Sequence, residues 1–226
     1  MPEGFQPRLD ALPKAQRRLW KELGATPPDF VLYGGTALAL RLGHRQSVDF
    51  DFFSSQAFVP PELMRRIPYL KGAETQQSSE NTLVCLLDRG GPVQIAFLGG
   101  LAWNRVEDPE IPDGGGPRVA SLLDLAATKM KAIMDRASLR DYLDIAALVE
   151  AGIDLPRALG AARAVFGPEY NPMISLKALT YFDEGEVKEL NKQGRERLTA
   201  AAQAVDLERL PVPAARQGLV PSGSEG

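Results

Sequence analysis

The segment Ser47-Val-Asp-Phe-Asp-Phe-Phe53 alternates apolar and acidic side chains. A period of two is the pattern of a β-strand with one buried face. It sends Asp49 and Asp51 to one side of the strand and Val48, Phe50 and Phe52 to the other. The two Asp Cα atoms then stand roughly 6–7 Å apart. Carboxylates at that spacing repel, so a cation must neutralise them or one must shift its pKa. Asp is depleted in strands, and Mg²⁺ (or Mn²⁺) takes one or two carboxylates together with phosphate oxygens. The pair therefore reads as a metal site. The plainer alternative is an exposed strand face with two solvated acids. The chain holds one His and one Cys, which excludes a His- or Cys-rich zinc site.

About 15 residues earlier, Gly34-Gly35-Thr36 joins an apolar run, Phe30-Val-Leu-Tyr33, to a helical pattern ending at Leu42 and Gly43. The Gly34 and Gly35 amides, the Thr36 hydroxyl and the helix N-terminus together suit an anionic phosphate. Gly-Gly-Thr alone is a common helix entry and fits neither the dinucleotide fingerprint nor the P-loop pattern. Beside an Asp-x-Asp strand it points to a metal–triphosphate substrate.

The rest of the first half reads as mixed α/β around a small sheet. A first amphipathic helix covers 13–23 and a short one Pro60–Ile67. Strands cover Thr82–Leu87 and Pro92–Leu98, with Asp88-Arg-Gly-Gly91 as a hairpin turn. Cys85, in an apolar run, reads as a core residue. Residues 99–117 are rich in Gly and Pro, and the boundary falls there: an α/β core over 1–117, then a helical region over 118–210. Its helices are read at Ser121–Arg136, from Ser138 to Gly152 with Asp141 completing a capping box, and over Leu155–Phe166, Ser175–Tyr181 and Glu184–Val205. Residues 211–226 are read as a disordered tail.

The run from Gly34 to Phe53 resembles the signature of the AbiEii/AbiGii-type nucleotidyltransferase toxins, members of the DNA polymerase β-like superfamily. The likeness continues at Leu122–Val149, where Lys129, Ala132, Arg136, Arg140, Asp141 and Asp144 match a second block. It implies that fold: an α/β core of α+β type, with a small mixed sheet, flanking helices and a helical C-terminal region. It implies Mg²⁺ on Asp49 and Asp51, triphosphate held by Gly34, Gly35 and Thr36, and Lys129 on the phosphates. Asp141, with Asp144 as a second candidate, has an essential but undefined role. His44, Arg45 and Ser47 also match. The implied partners are a nucleoside triphosphate, an RNA (tRNA) or protein acceptor, and a cognate antitoxin.

Read residue by residue, these positions stay open. His44 suits a helix C-terminus. Arg45 is placed to reach a phosphate or to pair with Asp49 or Asp51, and Ser47 to satisfy a backbone group. Lys129, Arg136, Arg140 and Asp144 share a face suited to a polyanion if one helix runs through Ala137, and lose it if Ser138 starts a new one. The superfamily's third carboxylate is absent from Pro92–Leu98, where Ala96 stands in its place. Asp88 is a candidate substitute. The chain is thus read as a nucleotidyltransferase, with a non-catalytic nucleotide-binding protein as the alternative. The net charge of −3 argues against a broadly basic RNA-coating surface. The N-terminus has no apolar signal segment and no stretch reaches the roughly 20 apolar residues that span a bilayer, so a cytoplasmic protein is expected.

Overall fold

Phe50 and Phe52 are fully buried, while Asp49, Asp51 and Phe53 between and beyond them are half-exposed. From Phe50 onward the alternation in the sequence is therefore that of a sheet face, whereas Val48, expected on the buried side, is exposed and precedes the strand. The computed structural model describes residues 4–221. Its described residues fall into two units, one within Met1–Trp103, Asp108–Ser121 and Gln217–Gly226, the other within Asn104–Glu107 and Leu122–Arg216.

The first unit is a six-stranded mixed sheet with helices α1 (Lys14–Trp20), α2 (Gly34–Leu42) and α3 (Pro60–Arg66). Strands β1 (Val31–Tyr33), β2 (Phe50–Phe53), β3 (Glu74–Ser79), β4 (Thr82–Asp88), β5 (Pro92–Leu98) and β7 (Arg118–Val119) lie in the order β3-β4-β5-β2-β1-β7. The short strands β6 (Asn104–Arg105) and β8 (Arg216–Gln217) stand outside that sheet. Strand β2 runs antiparallel to β1 and parallel to β5. One face buries Phe50, Phe52, Leu83, Cys85, Leu87, Val93, Ile95 and Phe97. Phe97 stacks on Phe52 and meets Phe30 edge-on. Truncating one such ring costs about 3–5 kcal/mol, so this face fixes the register and turns Asp51 to the other side. Burial pushes the Cys85 thiol pKa up, which agrees with a core role.

In the second unit, α4 (Leu122–Asp135) packs against α5 (Leu139–Glu150), α6 (Leu155–Phe166) and α7 (Pro172–Leu179), and α8 (Lys192–Gln203) lies against α5 and α7. The small residues Ala158, Ala161 and Ala162 of α6 are buried, which lets helices approach closely. Residues 104–107 join this unit because the buried Asp124 carboxylate accepts hydrogen bonds from the Val106 and Glu107 amides at 2.8 and 3.0 Å. The division therefore departs from the boundary read at 117.

Several expected elements differ. Strand β2 begins at Phe50, not Ser47, because side chains rather than a neighbouring strand take the Val48 and Asp49 carbonyls. Strand β3 was not anticipated: all six of its residues are exposed and no apolar period marks it. The expected helix over Glu184–Val205 is a 3₁₀ turn at Gly185–Glu189 followed by α8, with the Asn191 side chain capping α8 through the Gly194 amide. Helix α7 starts at Pro172, behind the Asn171 cap. The disordered tail does not hold for 211–221. Leu219 is buried and its amide donates to Ser55 Oγ at 2.9 Å. The remaining tail, 222–226, lies outside the described residues, as do residues 1–3. No helix among the described residues is long and apolar enough to cross a membrane.

Candidate active site

The strand β1 ends in Tyr33, whose register partner across the sheet is Asp51. The chain then turns through Gly34 at φ +74° into α2. Only glycine enters that left-handed region without strain. A second constraint acts at the same position, since a Cβ on Gly34 would lie 2.7 Å from Asp51 Oδ2. The Asp51 carboxylate thus fills the space that glycine leaves open. At Gly35 a Cβ would collide with Arg45 Nη2 and come within 3.2 Å of Ser47 Oγ. The diglycine corner is flanked by an acid on one side and by Arg45 and Ser47 on the other.

The connection from α2 to β2 is fixed by two side chains. Buried Thr36 uses its hydroxyl on Ser47 Oγ, at 2.9 Å, and on the Asp49 carbonyl. Buried Gln16, from α1, donates Nε2 to the Val48 carbonyl at 2.9 Å. Both hold the chain on either side of Asp49. The Thr36 hydroxyl, expected on a phosphate, is engaged inside the protein. The donors that suit a phosphate at the corner are the Gly34 and Gly35 amides and the first turn of α2, where the N-cap residue Tyr33 makes no side-chain cap. Arg45 also donates Nη1 to the Gln46 carbonyl at 3.0 Å. His44 follows Gly43, whose left-handed conformation ends α2.

Strand β5 lies on the other side of β2, and its register sets Ala96 directly beside Asp51. The neighbouring strand therefore offers a methyl group where a third acid was sought. Asp88 does not replace it. It sits at the far end of the hairpin, opposite Pro92, and its carboxylate accepts from the Gly90 and Gly91 amides at 2.7 and 2.9 Å. Those bonds, Gly91's first, hold its pKa below the ordinary value. No group of three or more His, Cys, Asp or Glu side chains among the described residues is arranged to hold a metal. The pair Asp49 and Asp51 offers hard oxygen ligands, which fits Mg²⁺ or Mn²⁺ completed by phosphates and water.

The second unit gathers a different set. Lys129 Nζ lies 2.7 Å from Asp141 Oδ1 and 2.7 Å from Asp144 Oδ2, and all three side chains are buried. Arg136, largely exposed, reaches Asp141 Oδ2 at 2.9 Å. Two cations balance two anions. Burial pushes the Asp141 carboxyl up, but Arg136 and Lys129 outweigh it and hold the pKa below the ordinary carboxylate value. The expected capping box does not form, because Asp141 is committed to these cations and Ser138 makes no side-chain cap. Helices α4 and α5 are separate, so the single-helix stripe does not exist; the cluster forms by packing across the break. Arg140 is exposed and has no ion pair among the described residues.

Sequence reasoning overlooked Gln16 and Asp124. Gln16 carried a signal, an amide at the position that Leu19, Trp20 and Leu23 extend as one buried stripe. Asp124 in the first turn of a helix looked like a favourable dipole partner and gave no sign of its distant amides.

A family profile described as "Nucleotidyl transferase AbiEii toxin, Type IV TA system" matches residues 18–219. The chain is 33% identical over 159 residues to an uncharacterized protein of Aquifex aeolicus (strain VF5), covering 69% of this chain and 75% of that protein. It is similar in fold to a crystal structure from H. pylori assigned to the nucleotidyltransferases, with TM-score 0.55 and 18% identity over 84% of this chain and 91% of that one. It is also similar in fold to MenT4, a nucleotidyltransferase toxin from Mycobacterium tuberculosis H37Rv, with TM-score 0.57 and 16% identity over 86% of this chain and 83% of that one.

Proposed function

The chain belongs to the AbiEii family of nucleotidyltransferase toxins of toxin–antitoxin systems, and from that premise we propose that it moves a nucleotidyl group from a nucleoside triphosphate to a hydroxyl of RNA or protein, with a tRNA 3′ end the first acceptor to try. One observation carries the proposal: the Asp51 carboxylate occupies the space at Gly34, so an acid suited to a cation adjoins backbone amides suited to a phosphate. The family membership brings a cognate antitoxin with it, and a cytoplasmic setting suits a triphosphate substrate.

In this reading Asp49 and Asp51 hold Mg²⁺ or Mn²⁺. Bound there, the ion offsets triphosphate charge and stabilises the leaving oxygen. The Gly34 and Gly35 amides and the α2 N-terminus orient the phosphates, and Arg45, beside Gly35, adds a cation. The acceptor oxygen bonds to the α-phosphorus as the bond to pyrophosphate breaks. The hydroxyl proton leaves to water or to a group still unassigned, since Ala96 stands where a third carboxylate would take it. On family resemblance, Lys129 and Asp141 remain catalytic candidates, with Arg136 and Arg140 as substrate-binding candidates. The Asp141–Asp144 cage accounts for two of the three donors of the Lys129 ammonium.

Ala96 favours a second reading, a nucleotide-binding protein without turnover. Incubation with labelled triphosphates, Mg²⁺ and total RNA separates the two. Label transfer that disappears in Asp49→Ala supports the enzyme. Triphosphate binding with no transfer to RNA or protein supports the second reading.

A further inference from the structure

Strands β2 and β5 run parallel with Asp51 beside Ala96 and Phe50 beside Ile95. Residues two apart on a strand share a face. Gln94 therefore lies on the face of Ala96 and Asp51, while Val93, Ile95 and Phe97 are fully buried on the other. Asp49 directly precedes β2, and Ile95, the neighbour of Gln94, pairs with Phe50, the neighbour of Asp49, so Gln94 is the β5 residue that continuing the register by one step brings to Asp49. Its neighbour on the opposite side is Leu86, which offers no polar group. The Gln94 amide is half-exposed and makes no side-chain hydrogen bond among the described residues. The face thus carries the Asp51 carboxylate, one methyl group and one uncommitted amide, with Asp49 at the entry to the strand.

We propose that Gln94 supplies a neutral third oxygen to the cation held by Asp49 and Asp51, in place of the acid that Ala96 cannot provide. The proposal rests on the two-carboxylate reading above. Amide carbonyl oxygen is a ligand type suited to Mg²⁺ and Mn²⁺. With this set the protein contributes two negative charges to the site rather than three, so cation binding relies more on the phosphates of the substrate.

The test is Mn²⁺ binding to the full chain, followed by electron paramagnetic resonance without nucleotide, for the wild type, Gln94→Leu, Gln94→Glu and Asp51→Asn. Thermal melts check that each variant folds. Gln94→Leu should weaken Mn²⁺ binding at least about tenfold, the scale of losing even an outer-sphere partner. Gln94→Glu, which keeps an oxygen and adds a charge, should bind at least as tightly as the wild type. Wild-type affinity in Gln94→Leu, with binding lost in Asp51→Asn, overturns the role of Gln94 and leaves the acid pair standing. Weakening in both Gln94 variants assigns the residue to packing and also overturns it. Wild-type affinity in Asp51→Asn overturns the acid pair itself.

Discussion

Replacing Gly34 by Ala separates backbone strain from damage to the site. At φ +74° an alanine sits in the left-handed region, which costs roughly 1–2 kcal/mol. For a chain of this size that lowers the melting temperature by about 2–4 °C per kcal/mol. Gly72→Ala is the matched control: its φ is +79° and a Cβ there meets nothing within 4 Å. It should show the same thermal loss and no other effect. At Gly34 the added Cβ meets Asp51 Oδ2 at 2.7 Å. The carboxylate must retreat by roughly 0.7 Å to reach an ordinary contact of about 3.4 Å, and displacements on the order of 1 Å at a reacting centre cost about 10²-fold in rate. Label transfer from triphosphate and a thermal melt, run on both variants, give the comparison. Gly34→Ala should lose about 10²-fold in transfer while melting with Gly72→Ala. If the two variants match in transfer rate as well, the contiguity of the glycine corner and Asp51 plays no part in function.

Further predictions concern the groups that hold the site and the helical unit. Asp141→Asn strips Arg136 of its carboxylate and Lys129 of one of two, and should cost about 3 kcal/mol or more in urea unfolding at pH 7. The native Asp141 pKa is lowered, so its contribution is full above the unfolded value near 4 and fades as pH falls through the lower native value. The gap between wild type and variant should therefore narrow toward pH 3, and a gap that widens there refutes the assignment. Gln16→Leu removes a buried, unpartnered Oε1 but orphans the Val48 carbonyl. These effects oppose, so stability should stay within about 1 kcal/mol, while transfer falls roughly tenfold as the segment before Asp49 loosens. Unchanged transfer would reduce Gln16 to a packing residue.

What the sequence made legible follows from which forces are local. The alternation of Phe50 and Phe52 with Asp51 forced a strand with one buried face, because burying two Phe rings outweighs any local preference of Asp. The hairpin at Asp88–Gly91 was legible because the Asp88 side chain and two glycines build the turn by themselves. Strand β3 was hidden because Glu74–Ser79 buries nothing and forms by edge pairing with β4. The hydrogen bond of Thr36 to the Asp49 carbonyl, and the pairing of Asp141 with Lys129 in place of a capping box, were not legible for one reason: each partner is brought in by tertiary packing. Ala96 was legible as a missing acid from the strand period, and the register places it beside Asp51.

The most direct measurement is a crystal structure of the protein with Mn²⁺ and a non-hydrolysable triphosphate, with the metal located by its anomalous signal. The account predicts one or more peaks within ligand distance of both Asp49 and Asp51, with phosphate oxygens on the Gly34 and Gly35 amides. A peak away from these carboxylates, or a triphosphate seated elsewhere, would contradict it.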